Sequence, residues 1–277
     1  MDTRFWGPSG WLLLHLVAFQ APTRNIHDIR TFFVNLPYVL PCKFCRASLA
    51  DYYAEDPVPV KAEEYAKWLY RIHNRVNDKL RSQKLLETPN PSWKDIQTRY
   101  EGWIQSSCAK NTMIGWDFLF SIAFTTPCKA VRTSPMPNAP PFASLQTPEL
   151  RNRWGRMSRE ERVPYLETWW SILPDVLPYE EWTQRWKNSG SKRPNVEEGR
   201  RTLTAWLFKM EQGMCTNNNV IHNSYTELCS ELKTFASGCN KPRTHKMKTC
   251  RAIKQTRRKI FTNRKERLYN LTGGFLQ

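Results

Sequence analysis

The sequence contains one pair of cysteines at the spacing used for dithiol–disulfide chemistry, Cys42 and Cys45, directly after Pro41. A CxxC motif at the start of a helix places its first sulfur beside unpaired backbone N–H groups and the positive end of the helix dipole. Both features lower the pKa of a thiol, and the cationic side chains of Lys43 and Arg46 act in the same direction. We therefore expect a reactive thiol pair in the first turn of a helix that begins at Cys42.

Other uses of a CxxC motif have less support in this sequence. The motif could be half of a zinc site, but the chain has no second CxxC and no Cys/His cluster with zinc-finger spacing. We therefore predict no metal site. A thioredoxin-like motif would need βαβ units, and the sequence lacks convincing strand alternation. Eight cysteines in a protein without a secretory pattern favour redox chemistry over a framework of structural disulfides.

Two further stretches place polar side chains on otherwise apolar helix faces. Trp11 and His15 are i, i+4 neighbours, as are His73 and Asn77, and Asn74 lies beside them. A single histidine on such a face is more often a core residue with a satisfied hydrogen bond. Three polar side chains on one helix cost free energy if they are buried without partners. A planar polar ligand inside a helical bundle would satisfy them.

The three motifs occur together in one known enzyme family. The chain carries Trp-Gly-x-x-x-Trp-x-x-x-His at 6–15, Cys-x-x-Cys at 42–45 and His-Asn-x-Val-Asn at 73–77. Their order resembles the ERV/ALR family of FAD-linked sulfhydryl oxidases, from about Arg4 to Cys108. The Pro-Cys-Lys-Phe-Cys-Arg context and the long C-terminal extension resemble the branch encoded by large DNA viruses of eukaryotes. The resemblance implies an all-α four-helix bundle with a short fifth helix and FAD at its mouth.

The resemblance also implies an activity and a set of site residues. A substrate thiolate would attack Cys42, the outer sulfur, and Cys45 would lie against the flavin ring, which passes electrons to O2 to give hydrogen peroxide. Trp11 and His15 would pack on the flavin nucleotide, and Lys79 would meet a phosphate. The histidine–asparagine motif would bind the adenosine part, covered by Tyr100 or Trp103. The cofactor-binding set implied is Gly7, Trp11, His15, Cys45, His73, Asn74, Val76, Asn77, Lys79 and Tyr100.

The chain departs from the family pattern in places. The family often has Gly-Lys-Pro soon after its asparagine motif, where this chain has Arg81-Ser82-Gln83. Cys108 fits the end of the domain, but the usual position of its disulfide partner falls near Pro91. The pairing of Cys108 is therefore left open.

Apolar periodicity predicts a largely helical chain divided into two bundles and a tail. Predicted helices cover about 29–40, 42–53, 63–80 and 93–103, after a first helix that contains Trp11 to Ala18. A stretch rich in Pro, Ser and Thr interrupts the pattern at about 125–148. We therefore predict an FAD-binding oxidase domain at 1–110, a degenerate second helical bundle with a Pro-rich insertion at 111–240, and a basic tail at 241–277.

An internal repeat defines the second bundle. Gly10-Trp11-x-x-Leu14 recurs as Gly115-Trp116-x-x-Leu119, Leu36-Pro37 as Leu173-Pro174, and Trp68-Leu69 as Trp206-Leu207. The second copy keeps these packing positions but has Tyr179 and Trp182 where the first has Cys42 and Cys45. His15 and His73 likewise correspond to Phe120 and Glu211. We expect a copy that kept its fold, lost its chemistry and packs on the first as a pseudo-dimer within one chain.

Positive charge is concentrated near the C-terminal end. The chain has 42 Lys+Arg and 25 Asp+Glu, a formal net charge of +17, and 12 of the Lys and Arg lie between Lys241 and Arg267. Counterion release would attract such a tail to nucleic acid or another polyanion, although a solvated arm explains it equally well. Cys239 and Cys250 flank the tail and are candidates for an electron shuttle, with a structural disulfide or buried thiols as the alternative.

The expected setting is a cytosol-like compartment. The early apolar run is too short to span a bilayer, and the start has no signal-peptide pattern. We expect a non-secreted protein of the host cytoplasm or virus factory, or of the virion, that acts on thiol-containing proteins and O2. A homodimer through another face stays open. The alternative function is a non-enzymatic helical virion protein with a vestigial CxxC and a basic tail that contacts nucleic acid.

Overall fold

The structure, a computed structural model, describes residues 1–106, 110–126, 160–189, 192–215 and 222–236, with residues 147, 149, 154 and 157 between them. All regular secondary structure in these ranges is helical, which confirms the predicted all-α class. No helix among the described residues is long and apolar enough to cross a membrane. The basic tail and four cysteines, Cys108, Cys128, Cys239 and Cys250, lie outside the described residues.

The first bundle contains five α-helices. They are α1 (Thr3–Gln20), α2 (Ile26–Val39), α3 (Lys43–Glu55), α4 (Tyr65–Ser82) and α5 (Trp93–Gln105). Short 3-10 turns at Ala21–Thr23 and Ala62–Glu64 lead into α2 and α4. Helix α1 lies centrally because it packs against both α4 and α5, while α3 joins α2 to α4.

Side-chain caps explain where these helices begin. Asn25 accepts hydrogen bonds from the backbone N–H groups of His27 and Asp28 at the start of α2. Ser92 and Asp95 form a reciprocal capping box at the start of α5. Asp2 caps α1. The helix therefore begins well before Trp11, the first residue of the apolar stripe from which it was predicted.

The second bundle repeats this arrangement. Its helices are α6 (Trp116–Phe124), α7 (Val163–Val176), α8 (Glu180–Asn188), α9 (Arg200–Met214) and α10 (Tyr225–Thr234). Helix α6 packs on α9 and α10, as α1 packs on α4 and α5, and α7 packs on α8, as α2 packs on α3. Cys42 and Tyr179, which the repeat aligns, are the N-cap residues of α3 and α8.

The two bundles meet through equivalent helices, α1 on α6 and α2 on α7. The contacts between α1 and α6 are reciprocal. Gly10 lies against Phe118, and Leu13 lies against Gly115. The internal repeat aligns Gly10 with Gly115 and Leu13 with Phe118, so the two contacts are equivalent. Phe32 of α2 and Trp169 of α7, again counterparts, stack with ring centroids 5.0 Å apart. Across a two-fold interface, a contact between two residues is repeated by a second contact between their counterparts. The contacts between the two bundles follow this rule.

Candidate functional site

The redox motif lies at the junction of α2 and α3. Cys42 is the N-cap residue of α3 in an extended conformation, and its carbonyl accepts hydrogen bonds from the backbone N–H groups of Cys45 and Arg46, both at 3.0 Å. The helix therefore starts one residue later than the sequence predicted. This first turn brings the two cysteines together, and their side chains are joined by a hydrogen bond.

Three features of its surroundings determine the pKa of Cys45: the neighbouring Cys42, burial and the charge of Lys79. The hydrogen bond with Cys42, burial and the charge of Cys42 raise the pKa of Cys45 well above its ordinary value. The positive charge of Lys79 lowers this pKa, but its effect is smaller. Cys45 therefore holds its proton more tightly than an ordinary thiol does. The lowered pKa expected for the first sulfur, Cys42, stays a prediction. Lys43 lies 5.3 Å over the Phe44 ring.

The exposure of the two cysteines also differs from the prediction. Cys42, expected to be the outer sulfur, is 2% exposed and belongs to the hydrophobic core, whereas Cys45 is half-buried. The physical reason lies just upstream, where Tyr38 at the end of α2 stacks on Tyr165 of α7 with centroids 3.8 Å apart. The second bundle thus packs over the segment that leads into Cys42.

Aromatic and imidazole rings from three helices meet beside α4. The Trp11 ring stacks on His73 with centroids 3.8 Å apart and planes 9° apart. His15 Nε2 and His73 Nδ1 are 3.0 Å apart, and the His15 ring stacks on Tyr100 at 4.8 Å. Burial holds the pKa of His15 well below its usual value and lowers that of His73 to about 3. Both imidazoles are therefore neutral near pH 7, and one donates the shared hydrogen bond to the other.

Several polar groups in this region have no hydrogen-bond partner among the residues that the structure describes. His15 Nδ1 is buried without a hydrogen bond. The side chains of Asn74 and Asn77, half-buried on α4, make no hydrogen bond to any residue that the structure describes. Val76 is half-buried on the same helix, and a Cβ at Gly7 would find no atom within 4 Å. Open space, ring faces, a buried imidazole nitrogen and amides that are available for hydrogen bonds together fit a planar ligand that carries hydrogen-bond donors and acceptors.

Lys79 and Tyr100 occupy different parts of this region. Lys79 is exposed, donates a hydrogen bond to Ser48 Oγ of α3 and lies close enough to Cys45 to lower its pKa. Tyr100 contacts His15, whereas Trp103 is buried and its carbonyl accepts a hydrogen bond from Tyr179 of the second bundle. Of the two alternatives for an aromatic cover, the structure thus places Tyr100 with the histidines.

The second bundle has packing contacts at the positions of the cysteines. Tyr179 donates a hydrogen bond to the Trp103 carbonyl at 3.3 Å, and Trp182 Nε1 donates to the Lys110 carbonyl at 3.1 Å. Both side chains are buried. These residues hold the end of the first bundle against the second and have no redox chemistry of the CxxC kind.

A buried ion cluster, missed by the sequence analysis, occupies the region of the second bundle that corresponds to the paired histidines. His222 Nδ1 lies 3.0 Å from both carboxylate oxygens of Glu211, and Nε2 lies 3.4 Å from Asp117. Gln212 donates to the His222 carbonyl, and Phe120 meets the imidazole edge-on. The acidic residues Asp117 and Glu211, which stand among apolar residues in the sequence, could have indicated this cluster. No group of three His, Cys, Asp or Glu among the described residues is arranged to hold a metal ion.

The Erv1/Alr family model matches residues 8–100. Residues 8–100 of this chain are thus similar to the Erv1/Alr family. This Erv1/Alr segment runs from α1 into α5 and contains the CxxC motif and all the predicted cofactor-binding residues except Gly7. No solved structure matches the chain.

Curated relatives match within the same part of the chain. A protein of Acanthamoeba polyphaga mimivirus named "Probable FAD-linked sulfhydryl oxidase" is 38% identical over 85 residues, which are 28% of this chain and 59% of the relative. The mitochondrial FAD-linked sulfhydryl oxidase of Saccharomyces cerevisiae is 31% identical over 100 residues, 34% of this chain and 53% of the relative. An FAD-linked sulfhydryl oxidase of Oryza sativa subsp. japonica is 33% identical over 79 residues, 27% and 41% of the two chains. This chain thus spans less than two thirds of the length of each relative.

Proposed function

We propose that the Erv1/Alr segment holds FAD and oxidises protein thiols to disulfides. The observation that carries the proposal is a hydrogen-bonded cysteine pair, Cys42 and Cys45, at the first turn of α3 next to the polar face of α4. Lys79 links the two helices on this side. The relatives that match this segment are named FAD-linked sulfhydryl oxidases.

The residues beside α4 would hold the cofactor. The stacked rings of Trp11 and His73 offer aromatic faces. His15 Nδ1 is buried, and neither this atom nor the amides of Asn74 and Asn77 have a hydrogen-bond partner in the described ranges. When bound, FAD supplies a two-electron acceptor that is reoxidised by O2, with hydrogen peroxide as the product. The role of the chain is to bind this group next to the cysteine pair and to position the sulfurs.

The thiol chemistry follows from the two sulfurs. A substrate thiolate attacks the Cys42 sulfur of the Cys42–Cys45 disulfide, the S–S bond breaks, and Cys45 leaves as a thiolate. A second substrate thiolate attacks the substrate sulfur of the mixed disulfide and releases Cys42. Two substrate thiols thus become one disulfide, and the CxxC pair receives the two electrons. The positive charge of Lys79 favours the departing Cys45 thiolate.

We propose that the second bundle is a degenerate copy that supports the first as a pseudo-dimer within one chain. The reciprocal contacts of Gly10 with Phe118 and of Leu13 with Gly115 support this proposal. The setting proposed is the cytoplasm or virus factory of a host cell, or the virion. The basic tail is proposed to contact a polyanion, and the substrates are proposed to be viral proteins that require disulfides.

The visible spectrum of the purified protein tests the proposal most directly. We expect flavin absorbance, and oxygen consumption with dithiothreitol that is lost in Cys45→Ala. Cys229→Ala, which removes a half-buried cysteine from α10, is the matched control and retains activity. A colourless protein that consumes no oxygen would contradict the proposal and favour a structural virion component.

A further inference from the structure

A buried arginine of the second bundle contacts the backbone that leads into the redox motif. Arg162, which immediately precedes α7, is 2% exposed. Its Nε donates to the Tyr38 carbonyl at 2.5 Å, and its Nη2 donates to the carbonyls of Val39 at 2.9 Å and Leu40 at 3.4 Å. A single guanidinium thus binds three consecutive carbonyls that end two residues before Cys42.

These carbonyls need a donor from outside the helix. Because α2 ends at Val39, its last carbonyls have no intrahelical partner and form the negative end of the helix dipole. Pro41 has no N–H to offer. Arg46, 6% exposed, supplies a second donor, since its Nη1 lies 2.9 Å from the Leu40 carbonyl. Two buried cations therefore converge on the short link between α2 and α3.

This link determines where the Cys42 sulfur lies. Cys42 is extended, with a ψ of 121°, and Leu40 has a non-helical ψ of 137°. Leu40, Pro41 and Cys42 therefore form an irregular connection between two helices. The Leu40 carbonyl, bound by both guanidinium groups, anchors it. Side chains from beyond the first bundle also pack on the helices at both ends of this connection. Trp154 and Tyr165 belong to or contact a cluster of buried side chains that includes Tyr38 of α2 and Ala50 of α3.

The position of Arg162 cannot be explained by the needs of its own helix. It is the N-cap residue of α7, makes no side-chain capping hydrogen bond, and places a cation at the positive end of the helix dipole. Its counterpart at the N-cap of α2 is Asn25, which caps that helix in the usual way. An arginine thus stands at the N-cap of α7, where it contacts the segment that leads to Cys42. The equivalent N-cap position of α2 has an ordinary capping residue.

We propose that Arg162 is a positioning residue for the Cys42–Cys45 pair, which it acts on through the carbonyls of Tyr38, Val39 and Leu40. The proposal rests on the proposed thiol oxidase function. By neutralising the negative end of α2 next to Cys42, the guanidinium favours the ionised form of the dithiol. Reduction of the disulfide takes up two electrons and two protons, or one proton when one sulfur stays ionised. Stabilisation of the thiolate therefore makes the disulfide more oxidising.

The redox equilibrium of Cys42–Cys45 in the full-length, flavin-loaded protein tests this assignment. The protein is equilibrated anaerobically in glutathione buffers, in which two glutathione thiols reduce the disulfide and become glutathione disulfide. The peptide that contains both cysteines is then quantified by alkylation and mass spectrometry. The rate of alkylation of reduced Cys42 against pH gives a second readout.

Arg162→Gln removes the charge, and we expect it to shift the equilibrium about tenfold towards the disulfide, about 30 mV for a two-electron couple. We expect alkylation of Cys42 to require a higher pH. Arg162→Lys retains the charge and is expected to recover part of both effects; it also serves as the test if Arg162→Gln does not fold. Trp169→Phe is the matched control, since it perturbs the same interface at the Phe32 stack away from the carbonyls.

Two outcomes would overturn the assignment. One is a folded Arg162 variant with the equilibrium and alkylation profile of the unaltered protein, and the other is an equal shift in Trp169→Phe. Failure of the underlying function is distinguishable, because the unaltered protein would then form no reversible Cys42–Cys45 disulfide in any of the buffers.

Discussion

Leu13 of α1 packs directly on the backbone of Gly115, so closely that a Cβ at Gly115 would lie 2.7 Å from the leucine Cδ2. The equivalent contact across the interface is looser, since a Cβ at Gly10 would lie 3.1 Å from the Phe118 ring. The two glycines also differ in conformation. Gly115 has a φ of +100°, whereas Gly10 lies within a helix. The interface between the bundles therefore requires glycine more strictly at Gly115.

We expect Gly115→Ala to destabilise the protein by about 2–4 kcal/mol, because about 1–2 kcal/mol arises from the left-handed backbone and the remainder from overpacking. Gly10→Ala, its counterpart, needs only a small shift of Phe118 and should change stability by about 1 kcal/mol at most. Denaturant unfolding of both variants measures the difference. Equal losses would show that the close approach of Leu13 is unimportant.

Replacement of Asn77 by alanine should separate cofactor binding from folding. Its amide makes no hydrogen bond within the described part of the protein, so we expect Asn77→Ala to change stability by no more than about 0.5 kcal/mol in cofactor-free protein. Flavin retained after purification should fall severalfold, since the ligand loses a partner. Gln97→Ala, which removes an exposed amide of α5, should retain its flavin. Full flavin content in Asn77→Ala would remove Asn77 from the site.

Lys79→Gln should raise the pKa of Cys45 further. The hydrogen bond with Cys42 and burial raise this pKa, and the Lys79 charge opposes them. A less stable Cys45 thiolate is a poorer leaving group, so thiol oxidation near pH 7 should slow and the pH at which it accelerates should rise. The measurement is oxygen consumption against pH. Lys67→Gln, an exposed cation elsewhere on α4, is the control, and an identical shift there would point to a general charge effect.

The buried ion cluster should make stability depend on pH in the alkaline range. Burial opposes charge on His222, but its hydrogen bonds to Asp117 and Glu211 outweigh burial and raise the pKa of His222 to about 9. A histidine whose pKa is raised by folding contributes its full stabilisation at a pH below its unfolded-state pKa, near 6.5. This stabilisation is lost as the pH rises through the folded-state pKa.

Denaturant unfolding between pH 6 and 10 checks this expectation. We expect the unaltered protein to lose about 3 kcal/mol over that range and His222→Gln to show a flatter profile with lower stability at pH 6. His27→Gln, at an exposed histidine, should retain the original profile. A pH-independent stability in the unaltered protein would show that His222 is not charged in the folded state.

The helices of the first bundle were predictable because local signals determine them. The predicted start of α5 at Trp93 was correct, and the Ser92–Asp95 capping box at that point is visible in the sequence. The first helix was recognised from its apolar residues between Trp11 and Ala18, whereas the cap at Asp2, which sets its start, was not recognised. Local reasoning succeeded where caps and apolar periodicity agreed.

The candidate site was only partly predictable. Trp11, His15 and His73 were singled out by residue type and spacing, and the structure brings them into contact. The burial of Cys42 was missed because it follows from packing between bundles. The hydrogen bond from Arg162 to the Tyr38 carbonyl connects positions 124 residues apart in the chain, and no local pattern contains information about such a pair.

Because α2 and α7 belong to the same polypeptide, the stack of Phe32 on Trp169 forms at an effective concentration that dilution cannot lower. In an assembly of two identical chains every substitution would occur twice, once on each side of the axis. Here each side can change alone, so one bundle can retain the residues that react while the other acquires residues that serve only to hold its neighbour.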